Sequence, residues 1–274
     1  MHQANKPKRI TSWHVIGAQL SHFRKAARLT QPALAEAVGV HEDTIGSIEQ
    51  GRRALKIDLA EAFDEILGTK GALAVAVKKV PEREKLPAFV QSLVEHEEEA
   101  LTLLSYENQV VPGLLQTAPY ARAVFDCLYP PLDEDQADEW LSARLDRQRL
   151  LERKSPRPML NFILEEVLLH RPVGGSDTLR GQLRHLRQCA ELPFLGIQIM
   201  PTSRGAHASL DGPLVLLETP DHDHLAYIEA QRISFLVDDP GEVSVYQQVY
   251  GMLRSQALTP EESKGLLDDL LGES

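Results

Sequence analysis

Residues 29–55 read LTQPALAEAVGVHEDTIGSIEQGRRAL. Thr30 is a good N-cap for a helix that begins at Gln31-Pro32, because proline is tolerated in a first helical turn, whose amides have no partner. Gly39 supplies a left-handed stop after Val38, so this helix is about two turns long. A further helix is predicted from about Glu42 to Gln50, closed by Gly51. Leu29, Leu34, Ala35, Val38, Val40, Ile45 and Ile48 fall where one small core would hold both helices. His41, Glu42, Asp43, Thr44 and Ser47 are left on the outer face. Upstream, His14 to Leu29 is amphipathic, with Ile16, Leu20, Phe23 and Ala27 recurring at three and four. Downstream, Ile57 to Leu67 is helical in pattern and ends at Gly68. An all-α unit of four or five helices follows.

The pattern changes beyond residue 68. Residues 69–87 carry Lys78, Lys79, Pro81 and Pro87 around a short apolar run, which sets a domain boundary at about 80/81. Leu86 to Leu104 reads as a helix with acidic Glu95, Glu97, Glu98 and Glu99 on a solvated face. Thr117 caps another helix, and Asp133 to Lys154 forms one that bears Arg144, Arg147, Arg149 and Arg153. Ion pairs with Glu139, Asp146 and Glu152 on the same helix are expected for these arginines. Met159–Leu164, Gly196–Met200, Pro213–Leu217 and Leu225–Glu229 are short apolar runs bounded by Pro, Gly and Asp, the signature of strands. Helices near Asp177–Ala190, Glu242–Gln256 and Pro260–Leu271 complete an α+β domain. Its sheet is expected to be small, of about four strands flanked by helices.

Charge divides the chain at the same place. The 274 residues carry a net charge of -11, which by itself argues against a polyanionic partner. Residues 1–80 nevertheless hold 12 Lys+Arg against 8 Asp+Glu, while residues 81–274 hold 17 against 32, or -15. Six basic side chains and no acidic one precede Thr30. One end of the chain is suited to nucleic acid and the other is not. The short Gly39-Val40 connection has the size of the turn in a helix-turn-helix unit, whose second helix enters the major groove.

The stretch quoted above resembles the xenobiotic-response-element and lambda-repressor type of helix-turn-helix DNA-binding domain over about Trp13 to Leu67. Thr30-Gln31, Leu34-Ala35, Gly39-Val40, Thr44-Ile45, Ile48-Glu49 and Gly51 carry the resemblance together. It implies Gln31 on a phosphate or base edge, Thr44 and Ser47 toward bases, and Gly51, Arg52 and Arg53 gripping phosphate through amides and guanidinium groups. It also implies a structural pair between Arg24 and Glu49. Where many relatives carry neutral or basic residues, this chain has Glu42 and Asp43, which can cap the helix, accept from cytosine N4 or exclude phosphate. A second resemblance covers about Ser105 to Leu267. YENQVVPGLLQTAPYARAVF, RLDRQRLL, FILEEVLLHRPVGG, QLRHL, IQIMP and GAHASLDGPLVLLE look like the C-terminal domain of antitoxin-like regulators of actinomycetes. That resemblance implies a regulator that binds a small protein encoded next to it.

Other chemistry is poorly served. Asp221-His222-Asp223-His224 offers metal-ligand types, but it lies between two strands and reads as a polar turn. Glu165 and Glu166 are adjacent in a strand, so they point to opposite faces and make a poor acid/base pair. No G-x-S-x-G, phosphate loop or H-E-x-x-H occurs. Cys127 and Cys189 have no zinc or disulfide spacing. The expectation is a non-enzymatic, cofactor-free and metal-free regulator, cytoplasmic and nucleoid-associated, with no membrane span. Its partners would be double-stranded DNA, a second copy in a homodimer, and the neighbouring small protein or an effector.

Overall fold

The computed structural model describes residues 11–80, 88–231 and 233–272, and the chain divides into two compact units at Pro87/Ala88. In the first, the described residues form five helices, α1 (Ser12–Ala26), α2 (Gln31–Val38), α3 (Glu42–Glu49), α4 (Ile57–Leu67) and α5 (Ala72–Lys78). Leu34, Ala35, Ile45 and Ile48 are buried, with Leu29, Val38 and Val40 packed at their margin. Trp13, Ile16, Leu20, Phe63 and Leu73 extend the same core. Two glycines decide the local geometry. Gly39 is left-handed (φ 71°), and the Val40 amide returns to the Ala35 carbonyl, the hydrogen bonding that ends α2 sharply. Gly17 lets α1 cross α3 closely, since a Cβ there would lie 2.2 Å from the Ile48 carbonyl oxygen. Asp64 of α4 is buried and accepts from the Leu73 and Ala74 amides at 3.0 and 2.8 Å. It thereby caps α5, a helix in the stretch where the sequence shows only a short apolar run.

The second unit is α+β, with helices flanking a six-stranded mixed sheet. Its elements are α6 (Ala88–Glu97), β1 (Thr102–Glu107), α7 (Ala118–Asp126), α8 (Glu134–Arg147), β2 (Met159–Glu165), α9 (Ser176–Cys189), β3 (Leu195–Met200), β4 (Leu214–Glu218), β5 (His224–Ala230), β6 (Ile233–Val237), α10 (Pro240–Gln256) and α11 (Pro260–Leu271). Strand order is β3-β2-β1-β4-β5-β6; β1 to β3 are parallel and β4 to β6 antiparallel. Alternation sends Leu160, Phe162 and Leu164 of β2 into one core and Ile163 into another on the opposite face. Tyr250 of α10 closes that second core and donates to Asn161.

Two strands exceed the four read from sequence. β1 lies partly inside the expected helix 86–104, because Leu101, Leu103 and Leu104 fit a helical face as well as a strand. β6 is only five residues long, and its Ile233, Ser234, Phe235, Leu236 and Val237 show no strict alternation of apolar and polar residues. The expected helix 133–154 ends at Arg147 and continues as a 3-10 turn over Gln148–Glu152.

Candidate nucleic-acid interface

The α2–turn–α3 unit is fixed from behind by one ionic fork. Arg24 of α1 donates through Nε and Nη2 to the two carboxylate oxygens of Glu49, at 2.6 and 2.9 Å, and through Nη1 to the Leu29 carbonyl at 2.8 Å. Gln31 Nε2 donates to the same carboxylate at 2.7 Å. Both charged side chains are nearly buried. Burial pushes the Glu49 carboxyl up, but the hydrogen bonds from Arg24 and Gln31 outweigh it, so its pKa lies below the usual carboxylate value. The start of α2 and the end of α3 are thus tied to α1 through three side chains. Gln31 also lies along Gly46, where an added Cβ would stand 3.6 Å from its amide oxygen.

In front, α3 presents His41, Glu42 and Asp43 exposed and Thr44, Gly46 and Ser47 half-buried. His41 is the N-cap, its Nδ1 accepting from the Asp43 amide at 3.3 Å. Two carboxylates in the first turn suit the positive end of the helix. After α3, Gly51 is left-handed, and a Cβ there would meet His14 at 2.7 Å. The amides of Gly51, Arg52 and Arg53 are occupied: the first donates to Ile48, the other two to the Ser47 carbonyl. What this loop offers a phosphate is therefore the exposed guanidinium groups of Arg52 and Arg53, not its backbone. Of the six basic residues before Thr30, Lys6, Lys8 and Arg9 lie outside the described residues. Arg24 is consumed by Glu49, and Lys25 and Arg28 are exposed. Gly17 and Asp64, which set the helix positions, were not singled out from sequence; a glycine inside an amphipathic helix was the available signal for the first.

The second unit holds a larger ionic cluster. Arg147 of α8 donates to both oxygens of Glu97, at 2.8 and 2.9 Å, across 50 residues of sequence. Glu97 is 3% exposed, so it does not belong to the solvated acidic face expected for α6. Arg144 donates to Gln116 at 2.8 Å and lies over the Phe125 ring. Arg153 donates to the carbonyls of Glu98, Ala100 and Pro156, and Arg149, in the 3-10 turn after α8, pairs with Asp146 three residues before it. Local pairing thus holds for Arg149, whereas Arg147 reaches the end of α6, Arg144 reaches Gln116 and Phe125, and Arg153 reaches backbone carbonyls. Burial, then repulsion from Glu229, raises the Glu107 carboxyl to about 8 against the pull of Ser105, Arg144 and Arg147. On the opposite face Glu165 accepts from Tyr106 Oη at 2.8 Å and lies 3.2 Å from His207 Nε2, while Glu166 accepts from the Thr202 amide at 2.7 Å. The two adjacent carboxylates serve different neighbours.

Among the described residues no group of three or more His, Cys, Asp or Glu is arranged to hold a metal. His222 occupies the turn between β4 and β5 and pairs with Glu218 at 2.8 Å. No described helix is long and apolar enough to cross a membrane.

Residues 15–76 match the family model of a helix-turn-helix domain, and residues 90–269 match that of the domain of unknown function DUF5753. The chain belongs to the DUF5753 family. No curated protein and no solved structure matches it. Within this family member, the helix-turn-helix domain supports a DNA-binding regulator, and the surface that α3 presents is its candidate reading surface.

Proposed function

We propose that the chain is a sequence-specific, dimeric transcriptional regulator of the lambda-repressor type, acting without catalysis in the cytoplasm at the nucleoid. The observation that carries the reading is the α2–turn–α3 unit locked by Arg24, Glu49 and Gln31, with a polar face left free in front. Thr44 and Ser47 face base edges, Arg52 and Arg53 face phosphates, and His41 and Asp43 stand at the N-terminal end of α3. Gln31 meets the backbone with the part of its amide that Glu49 does not hold. Such units read few base pairs singly, and a two-fold pair on half-sites one helical turn apart supplies the missing affinity. The acidic front of α3 increases that need.

The test separates readout from grip. Ser47→Ala is expected to relax sequence preference, by roughly 1–3 kcal/mol of discrimination for a lost base contact, whereas Arg52→Ala weakens all sequences alike and flattens the salt dependence. Binding titrations on operator and scrambled duplexes at several salt concentrations measure both; preference lost in Arg52→Ala and kept in Ser47→Ala would reverse the docking.

The -15 charge of residues 81–274 favours a second reading for this half. It repels nucleic acid and suits a protein with a basic surface, in keeping with an antitoxin-like role in which holding the neighbouring small protein is the main task. Recovery of that protein with the purified full chain distinguishes this role from regulation alone.

A further inference from the structure

Arg24 and Arg147 bind their glutamates through the same edge. In each, Nε and Nη2 donate to the two oxygens of one carboxylate, at 2.6 to 2.9 Å. That edge matches a carboxylate in spacing and in plane. Arg144, three residues before Arg147 on α8, is half-buried and held differently. Its Nη1 donates to Gln116 Oε1 at 2.8 Å. Gln116 is buried, and its own amide nitrogen donates to the Val111 carbonyl at 2.6 Å, which fixes the direction of its oxygen. The flat of the guanidinium is covered as well. Its Cζ lies 4.6 Å from the centre of the Phe125 ring. A Cβ on Gly113 would stand 3.5 Å from Nε and 3.7 Å from both Cδ and Cζ, distances so nearly equal that they place it over the plane rather than at the edge. Among the described residues, neither Nε nor Nη2 of Arg144 has a hydrogen-bond partner, and no carboxylate reaches ion-pair distance of the group. Both nitrogens reach solvent, because Asn108 Oδ1 is the one polar side-chain atom among the described residues that is buried and unpartnered.

Two carboxylates stand nearby. Ser105 of β1 and Tyr227 of β5 lie in one row across Val215 of β4, so Glu107 and Glu229, two residues further along each strand, fall on the same face at the same end of the sheet. Glu107 accepts from Ser105 Oγ at 3.2 Å and Glu229 from Tyr227 Oη at 2.8 Å. Burial, then Arg147, disfavours the charge on Arg144, while Glu229, Glu97 and Glu107 support it across a gap. A plain anion on the Arg144 edge would meet these carboxylates as like charges. A molecule that carries an ammonium beside its carboxylate gives each charge an opposite partner.

We propose that the Nε/Nη2 edge of Arg144 binds the carboxylate of a free α-amino acid, with the ammonium group directed to Glu107 and Glu229. The guanidinium is already fixed by Gln116, Phe125 and Gly113, so little side-chain freedom is lost on binding. Binding at this place belongs to the second domain alone and is measured without DNA, so its failure leaves the DNA-binding reading untouched.

The experiment uses the full chain in a Trp13→Phe background, where Trp140, packed edge-on against Phe125, reports on the ring that Arg144 covers. Titration with each common amino acid in turn is expected to give at least one saturating change in Trp140 fluorescence, with a dissociation constant of about 1 mM or tighter. Acetate and methylammonium carry the two charges separately. Each is expected to bind about tenfold more weakly or worse, since it leaves one side of the cluster without a partner. Arg144→Lys keeps the charge and removes the fork, and is expected to weaken the amino acid by about tenfold or more. Glu107→Gln together with Glu229→Gln is expected to weaken the amino acid likewise, while acetate binds as before or more tightly. Denaturant titrations read at Trp140 establish that each variant is folded; should Arg144→Lys fail to fold, the paired glutamine variant and the acetate comparison decide. The absence of a saturable response to any amino acid overturns the site. Acetate bound as tightly as the amino acid, or an affinity unchanged in Arg144→Lys or in the paired glutamine variant, overturns the assignment of the two charges.

Discussion

Each domain is pinned by an arginine–glutamate fork of nearly the same burial. Arg24 and Glu49 keep 9% and 7% side-chain exposure, Arg147 and Glu97 keep 11% and 4%. Their surroundings differ. The helix-turn-helix fork is closed and redundant: Arg24 also holds the Leu29 carbonyl, and Glu49 also receives Gln31. The fork of the second domain sits beside Arg144, Glu107 and Glu229, so one guanidinium neighbours another and two further carboxylates neighbour both. Burial, then Arg147, lowers Arg144 to about 10, still charged at neutral pH. A redundant fork tolerates loss of a partner better than a crowded one, and Glu49 within the first and Glu107 beside the second have pKa values shifted in opposite directions.

The largest expected effect is therefore Glu97→Ala. Removing one partner of a buried pair costs about 3–5 kcal/mol because the other charge is left without compensation, and here Arg147 would be left against Arg144. Glu49→Ala is expected at the low end of that range, about 3 kcal/mol, since Arg24 keeps its carbonyl. It should also loosen α2 and α3 and weaken binding to all DNA sequences. The chain has two tryptophans. Trp13 is buried in the first core and Trp140 packs edge-on against Phe125 in the second domain. Trp140→Phe and Trp13→Phe backgrounds thus report one domain each in denaturant titrations of the full chain. Equal losses at the two forks would remove the distinction drawn between them.

Sequence legibility follows the same division. The first domain is built from local signals, and Thr30, Gly39 and the apolar spacing of Leu34, Ala35, Ile45 and Ile48 place α2, α3 and their core correctly. The fork itself came with the family resemblance, since nothing local links Arg24 to Glu49. In the second domain the informative contacts are distant. Glu97 reads as one of four acidic residues on a wet face because its partner lies 50 residues away. β1 reads as helix because a short buried strand and a helical face share the same leucines. The outer face of α3 is legible from the helix pattern, while contact roles for its residues come with the family resemblance; that the amides of Arg52 and Arg53 are already occupied depends on the turn after Gly51, which spacing does not reveal.

The smallest expected effect, and the one that separates the surroundings of the two forks most cleanly, is the response of Glu49 and Glu107 to pH. Glu49 has a lowered pKa in the folded chain. Its contribution is complete above the ordinary carboxylate value of 4.5 and is lost as pH falls through the lower folded value. Glu107 is the reverse. Raised to about 8, it binds its proton more tightly folded than unfolded. Its contribution is complete below 4.5, declines as the unfolded chain ionises, and is gone above about pH 8. Within that window the slope is at most about 1.4 kcal/mol per pH unit, so the second domain is expected to lose roughly 2 kcal/mol between pH 6 and 8. Trp140 should report this loss, while Trp13 reports a first domain nearly constant over the same range. Glu107→Gln keeps the size and hydrogen-bonding capacity of a neutral carboxyl and removes the titration, so the Trp140 slope should flatten with little change in stability at pH 6. A slope that persists in Glu107→Gln would assign the proton to another group of the cluster, and a slope reported by Trp13 instead would place it in the wrong domain.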